Sequence, residues 1–132
     1  MEHLINVIAV IVGLSLGATA PDIDLAPPLP VRHRSAWTHG PLLPVAVMWL
    51  AGLGGAWFWF GAGFLPALAL HLVKDMFPKK WHGGAKISWY PLGKWRMNGG
   101  LSFLFLGGTV AIIIAITIRL VSSINIDLIN LL

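Results

Sequence analysis

Four long apolar segments constrain this chain more than any other feature. The clearest covers residues 101–121, where Arg119 is the one charged side chain. A helix needs about 20 mostly apolar residues to cross the ~30 Å hydrocarbon core of a bilayer. Three further segments follow the pattern, at about 4–20, 41–60 and 62–78. The sequence therefore predicts an all-α, polytopic membrane protein with about four transmembrane helices.

The composition agrees with a membrane protein of one domain, residues 1–132. Only 11% of the residues are charged, against about 25% in soluble domains, and the mean hydropathy is +0.80. The formal net charge of +4 does not indicate nucleic acid binding, because the basic residues lie beside apolar segments rather than on a soluble basic face. The sequence does not specify an oligomeric state.

Basic residues also predict an orientation. Four spans place loops 21–40 and 79–100 on one membrane face and both termini on the other. All the Lys and Arg residues except Arg119 lie on or next to the loop face: Arg32, Arg34, Lys74, Lys79, Lys80, Lys86, Lys94 and Arg96. Cytoplasmic loops are enriched in Lys and Arg. We therefore expect a multi-pass protein of the inner cell membrane, with the two loops in the cytoplasm and both termini outside.

Glycine and proline predict how the segments are joined. Gly13 and Gly17 are four residues apart and favour close helix contact in lipid. The glycines of residues 61–63 predict a short turn between the second and third spans. Four prolines within residues 21–30 predict a stiff, extended loop.

Six ionisable side chains adjoin the ends of the apolar segments. They are Asp22, Asp24, His33, His39, His71 and Asp75. Charged groups near hydrocarbon cost free energy, and they mark functional sites by default. The four-span topology places all six at the same membrane face, which predicts a metal site there.

The spacing of these residues suits metal ligation. Asp22 and Asp24 are two apart and share one side of an extended segment, whereas His71 and Asp75 share one face of a helix. A loop that folds back brings His39 to them, or His33 in its place. Imidazole and carboxylate suit Zn²⁺, Mn²⁺ or Fe²⁺, and six candidates are enough for one or two ions. The alternatives are turn chemistry for the aspartates, a mutual hydrogen bond for the helical pair and solvation for the loop histidines.

A divalent metal near the membrane surface predicts hydrolysis of a lipid or lipid-linked substrate. His71 lies roughly 10 Å from the end of its span near Pro78, at 1.5 Å per residue, which is head-group or shallow acyl depth. Arg32 and Arg34 suit an anionic substrate group such as phosphate, and Thr38 is the third predicted substrate-binding residue. Whichever of Asp24, Asp75 and His39 is not a ligand is the best general base.

Three motifs in this order resemble one known family. They are Gly-Ala-x-x-Pro-Asp-Ile-Asp from Gly17, His-Arg-Ser-x-x-Thr-His from His33, and His-Leu-x-x-Asp from His71, followed by Tyr90-Pro91. Together they are similar to the YdjM-like family of inner-membrane, LexA-regulated proteins described as metal-dependent hydrolases. The resemblance implies that the six ionisable residues form the metal site, and that Arg34 and Thr38 support it. Gly40 departs from the pattern, since a serine often follows the second histidine.

Two other functions fit the same residues. A small membrane scaffold that binds a partner protein would use the polar cluster only to tie its helices together. A metal or proton transporter would need ionisable groups near the bilayer midplane on several helices. The first, second and fourth segments have none in their interiors, which argues against transport.

Overall fold

The computed structural model is a helical bundle. It describes residues 1–25, 34–77, 86–89 and 95–129, with the backbone alone at 24–25 and 123–129. The helices are α1 (Glu2–Thr19), α2 (Ala36–His39), α3 (Leu42–Ala51), α4 (Gly55–Met76) and α5 (Gly99–Ile129), and a 3-10 helix (Ala20–Leu25) follows α1. The all-α prediction is confirmed, since the described residues form no strand beyond two isolated β-bridges.

Three of these helices are long and apolar enough to cross a membrane. The qualifying segments are Glu2–Ile23, Gly55–Met76 and Gly99–Ser122, and α3 is a shorter apolar helix. Large apolar side chains cover their outer faces, as at Leu104, which is 69% exposed. Such surfaces are stable against hydrocarbon rather than water. The multi-pass membrane prediction is confirmed.

The central element of the bundle is α4, which contacts α1, α3 and α5. Leu65, Leu68 and Leu72 lie on its buried face, and Leu106 and Ile113 of α5 belong to the same core. Leucines at intervals of three and four residues form one helical stripe. That stripe fixes the rotation of α4 about its axis, and therefore the direction in which its polar residues point.

Glycines bring α1 and α4 into backbone contact, as Gly13 and Gly17 predict. A β-carbon on Gly13 would overlap the carbonyl oxygen of Phe60, and one on Gly17 would overlap that of Phe64. From α4, Gly63 approaches Val10 as closely. The contacts Gly13–Phe60, Gly17–Phe64 and Ala18–His71 advance together along both helices, so α1 and α4 run parallel.

The turn between the second and third apolar helices is not at residues 61–63. It lies at Gly52–Gly54, so the expected spans 41–60 and 62–78 are replaced by Leu42–Ala51 and Gly55–Met76. Gly54 has φ 76°, a conformation that glycine adopts without steric cost. Gly61 is inside α4 instead, where an added β-carbon would lie 2.9 Å from that of Ala51. Glycine there permits close packing rather than a turn.

The two described ends of the loop after α1 are helical rather than extended, while Pro27, Pro28 and Pro30 lie outside the described residues. Residues Ala20–Leu25 form a 3-10 helix, and Ala36–His39 form a short α-helix. Pro21 is compatible with the first turn of a helix, because its fixed φ is helical and it lacks only an N–H that would be unpaired there. Asp22 therefore lies in a 3-10 helix rather than in the expected extended segment, and the side chain of Asp24 lies outside what the structure describes.

The described part of the second loop packs against the first. Ser88 donates its N–H to the carbonyl of Arg34 and accepts the N–H of Ala36, both at 2.9 Å. The Ile87 N–H donates to the Ser102 hydroxyl of α5 at 3.1 Å. Ile87 and Ser88 are almost fully buried, so this segment holds the short helix α2 against the bundle.

Chain connectivity brings the polar segments to one end of the bundle. Both α1 and α4 finish there, while α2, α3 and α5 begin there. The rings of Phe77, after α4, and Phe103, in α5, are 6.0 Å apart at this end. We call it the site end.

Candidate metal centre

The last turns of α4 supply two of the candidate ligands. His71 and Asp75 lie on one face, as their spacing of four residues predicts, with Nε2 of His71 3.3 Å from Oδ2 of Asp75. Each residue is only 9% exposed. The leucine stripe of α4 turns this face toward the short helix α2 and the end of α1.

A third candidate, His39, comes from α2. Ser35 caps this helix, its hydroxyl accepting the N–H of Trp37 at 3.3 Å. His39 is fully buried, and its Nε2 lies 3.0 Å from Oδ2 of Asp75. The loop therefore folds back onto α4 and delivers His39, one of the two histidines that the sequence offered for this role.

The tautomer of His71 follows from its neighbour. Nδ1 of His71 lies 2.7 Å from the carbonyl oxygen of Ala18 in α1. A carbonyl oxygen only accepts hydrogen bonds, so Nδ1 carries the hydrogen and Nε2 of the neutral ring carries the lone pair. Nε2 is buried and has no hydrogen-bond partner among the described residues. A buried nitrogen in this state is unusual in proteins.

A similar arrangement orients His39. Its Nδ1 lies 2.9 Å from the hydroxyl oxygen of Thr38, and that hydroxyl donates to the carbonyl of Ser35 at 3.2 Å. Both hydrogen bonds form together only when Nδ1 of His39 is the donor. Nε2 of the neutral ring then faces Asp75 with its lone pair. Metal-binding histidines are held in this way, by a hydrogen bond from the other ring nitrogen.

These three residues can hold a metal ion. His39, His71 and Asp75 each offer one ligand atom, and the three atoms lie within 4.8 Å of one another. Asp22 is nearby, its Oδ1 3.6 Å from Nε2 of His71 and its side chain 45% exposed. Two imidazoles and one carboxylate are a common ligand set for a catalytic divalent ion that leaves a coordination position open.

Arg34 holds the other oxygen of Asp75. Its guanidinium Nη2 lies 3.3 Å from Oδ1, so that Oδ2 is left to face the two imidazoles. The Arg34 side chain is 23% exposed, and its backbone has φ 60°. Non-glycine residues rarely adopt this conformation, and such strain is concentrated at functional sites.

The structure brings four of the six predicted metal-site residues together: Asp22, His39, His71 and Asp75. Arg34 and Thr38, predicted for substrate binding, contact the predicted ligands Asp75 and His39 directly. Three predicted residues lie outside what is described: Arg32 and His33 entirely, and Asp24 by its side chain.

Sequence reasoning missed two contributors to this geometry. Ser35 is a predictable helix cap, because serine is favoured at that position and comes directly before α2. The Ala18 carbonyl that orients His71 carries no sequence signal, since every residue has a carbonyl. Only the close contact of α1 with α4 selects this one.

Comparison with known proteins supports one family. The model of a family described as YdjM inner membrane protein matches residues 2–131. No curated protein and no solved structure matched the chain.

Proposed function

The chain belongs to the YdjM inner membrane protein family, and we propose that it is a membrane-embedded metal-dependent hydrolase. Its substrate is an ester or phosphoester of a lipid or lipid-linked compound, cleaved at the cytoplasmic interface. One observation carries this proposal: the buried Nε2 of His71 has no hydrogen-bond partner among the described residues, yet it faces Asp75. A divalent ion would satisfy that nitrogen.

The ligand set supports a metal rather than a hydrogen-bonded cluster. Both histidines use Nδ1 as a hydrogen-bond donor, so two lone pairs and a carboxylate oxygen converge. In these neutral tautomers the three facing atoms would all be acceptors and would repel one another, and a cation would remove that repulsion. One ion, Zn²⁺, Mn²⁺ or Fe²⁺, fits His39, His71 and Asp75. A second ion would draw on Asp22, Asp24 and His33.

A divalent ion supplies activation of water and polarisation of the scissile carbonyl or phosphoryl group. The protein residues then have separate roles. Arg34 fixes the Asp75 carboxylate and is close enough to the centre to attract an anionic substrate group. With a single ion held by His39, His71 and Asp75, Asp24 is left as the general base among the three predicted catalytic residues.

The position of the site supports a lipid substrate. His71 is five residues from the end of α4 at Met76, or about 8 Å at 1.5 Å per residue. The centre is therefore near the end of a membrane-spanning helix, at the depth of lipid head groups. A soluble substrate would reach this depth less readily than one already anchored in the bilayer.

Metal content and hydrolysis test the proposal together. Purified wild-type protein should contain about one or two equivalents of a transition metal and hydrolyse a lipid phosphoester or ester from a screened panel. His71→Ala should retain less than a fifth of that metal and lose the hydrolysis, because one of the ligands is gone. His3→Ala, at an exposed histidine near the start of α1, is the matched control and should behave as wild type. Wild-type protein without transition metal would refute the hydrolase.

A non-catalytic scaffold is the second candidate. The observation that favours it is the double engagement of Asp75, which links α4 to Arg34 and to α2. A structural cluster predicts that His71→Ala lowers the unfolding temperature while no metal is found in the wild type. Metal in the wild type together with a folded, metal-free His71→Ala protein excludes this role.

A further inference from the structure

A groove leads away from the candidate metal centre. It lies between the end of α1, the 3-10 helix, α3 and the beginning of α4, with a volume of about 560 Å³. Asp22 lies on its wall, and Leu43 and Leu50 line it along α3. Because Oδ1 of Asp22 is 3.6 Å from Nε2 of His71, the groove borders the centre at Asp22.

Nearly all of the groove is apolar. Thr19 and Asp22 are its polar lining residues, and the other side chains include Leu16, Val47 and Phe60. Along one side it is open, since Leu16 and Ile23 are about half exposed (48% and 55%). In a membrane protein that opening faces hydrocarbon.

The groove has the length of a partial acyl chain. From Leu43 to Leu50 it follows seven residues of α3, or about 10 Å at 1.5 Å per residue. Half of a ~30 Å hydrocarbon core is about 15 Å. Since α3 begins at the site end, the groove descends from the metal centre through much of one leaflet.

We propose that this groove binds a hydrocarbon chain of the phospholipid or lipid-linked substrate, so that the head group is placed at the metal centre. The inference rests on the proposed hydrolase and adds the element that would select its substrate. A chain in the groove anchors the molecule beside Asp22, and the scissile bond then lies where the apolar wall gives way to the polar cluster.

Polarity distinguishes this groove from another apolar groove of the bundle. A second groove between α4 and α5, about 420 Å³, is lined by apolar residues such as Leu70 and Ile114, and Thr117 is its sole polar side chain. That groove has no ionisable lining residue, so it would hold a lipid chain without presenting a head group for chemistry.

Photo-crosslinking tests the groove without requiring turnover. The protein is reconstituted in vesicles of phosphatidylethanolamine and phosphatidylglycerol that contain a trace of phosphatidylglycerol with a diazirine midway along one acyl chain. After irradiation, the labelled peptides are identified by mass spectrometry. Label should be concentrated on the groove walls of α1 and α3, at least five-fold above the outward face of α5.

Two variants test whether the hydrocarbon chain binds in the groove. Leu50→Trp fills the deep end and should reduce groove labelling at least five-fold. Leu16→Trp, at an exposed position on the open side, should reduce it as well and serves if the first variant does not fold. Leu104→Trp is the control, since Leu104 is 69% exposed on α5 and is not among the residues that line the groove. Equal labelling of all outward faces, or unchanged labelling in both groove variants, would overturn the proposal.

This experiment tests lipid binding in the groove independently of the proposed hydrolase activity. Labelling is measured before and after removal of metal with EDTA, and a chain bound in the groove should be labelled in both. Metal binding together with uniform labelling would refute the binding of a hydrocarbon chain in the groove but not the hydrolase. Concentrated labelling in a protein that never binds metal would refute the hydrolase and, with it, the placement of a scissile bond.

Discussion

Asp75 is the residue on which the candidate centre depends. One carboxylate oxygen is held by Arg34 at 3.3 Å, and the other faces His39 and His71 at 3.0 and 3.3 Å. Nδ1 of His39 is held by the Thr38 hydroxyl, and Nδ1 of His71 is held by the Ala18 carbonyl. The geometry of the centre therefore depends on side chains and a carbonyl that would not touch the ion.

At residue scale, we expect Thr38→Val to weaken metal binding 10–100-fold without unfolding the protein. Valine has nearly the shape of threonine but cannot hold the Nδ1–H of His39, and the loss of such an outer partner typically costs this much affinity. Competition with a zinc chelator measures the metal affinity of each protein. Thr117→Val removes a comparable hydroxyl, bonded to the Ile113 carbonyl of α5, and should leave the affinity unchanged. Equal affinities in all three proteins would contradict the role of Thr38.

Among the elements, the contact of α1 with α4 connects packing to chemistry. Gly17 allows the two backbones to touch, and the next residue, Ala18, supplies the carbonyl that orients His71. A wider separation of these helices would remove that hydrogen bond. Packing and ligand orientation are therefore coupled through two adjacent residues.

We expect Gly17→Ala to destabilise the protein by about 1–3 kcal/mol, the usual cost of overpacking. Its β-carbon would overlap the Phe64 carbonyl oxygen, which is backbone and cannot rotate away. Unfolding by SDS in mixed micelles measures the change, and metal affinity should fall with it. Gly108→Ala is the control: nothing lies within 4 Å of its added β-carbon, so helix propensity should make it neutral or stabilising by up to about 1 kcal/mol. Identical behaviour of the two variants would show that Gly17 is not a contact point.

The turn between α3 and α4 permits a second comparison at this scale. Gly54→Ala should cost about 1–3 kcal/mol, because φ 76° and ψ −169° lie in a region that is essentially restricted to glycine. Gly52→Ala should be nearly neutral, since Gly52 has φ −63°, which any residue adopts. The difference between their unfolding free energies measures the cost of placing a β-carbon at the positive φ of Gly54. A Gly52 variant as unstable as the Gly54 variant would place the turn elsewhere.

For the whole molecule, we expect the site end to face the cytoplasm, on the basis of its excess of Lys and Arg. A C-terminal alkaline phosphatase fusion, active only outside the cytoplasm, should then be active, and a C-terminal green fluorescent protein fusion should be dark. Fusions within loop 79–100 should show the reverse. Fluorescence from the C-terminal fusion would invert the orientation and place the centre outside the cytoplasm.

The sequence by itself determined the class of this protein and the types of its candidate ligands. Apolar length and scarce charge require helices that cross a membrane, because unpaired backbone groups are too costly in hydrocarbon. The interval between His71 and Asp75 fixes a shared face by helical geometry alone. The small residues Gly13 and Gly17 likewise predict a close contact without naming its partner.

Only the tertiary structure decided which groups meet. The sequence could not distinguish a turn glycine from a packing glycine at Gly61, since both uses depend on what lies opposite. Nor could it show that His39 reaches Asp75, or select the Ala18 carbonyl as the acceptor for His71. These contacts join residues far apart in the chain, and they depend on how α1 and α2 pack against α4, where close approach of the backbones sets the distances.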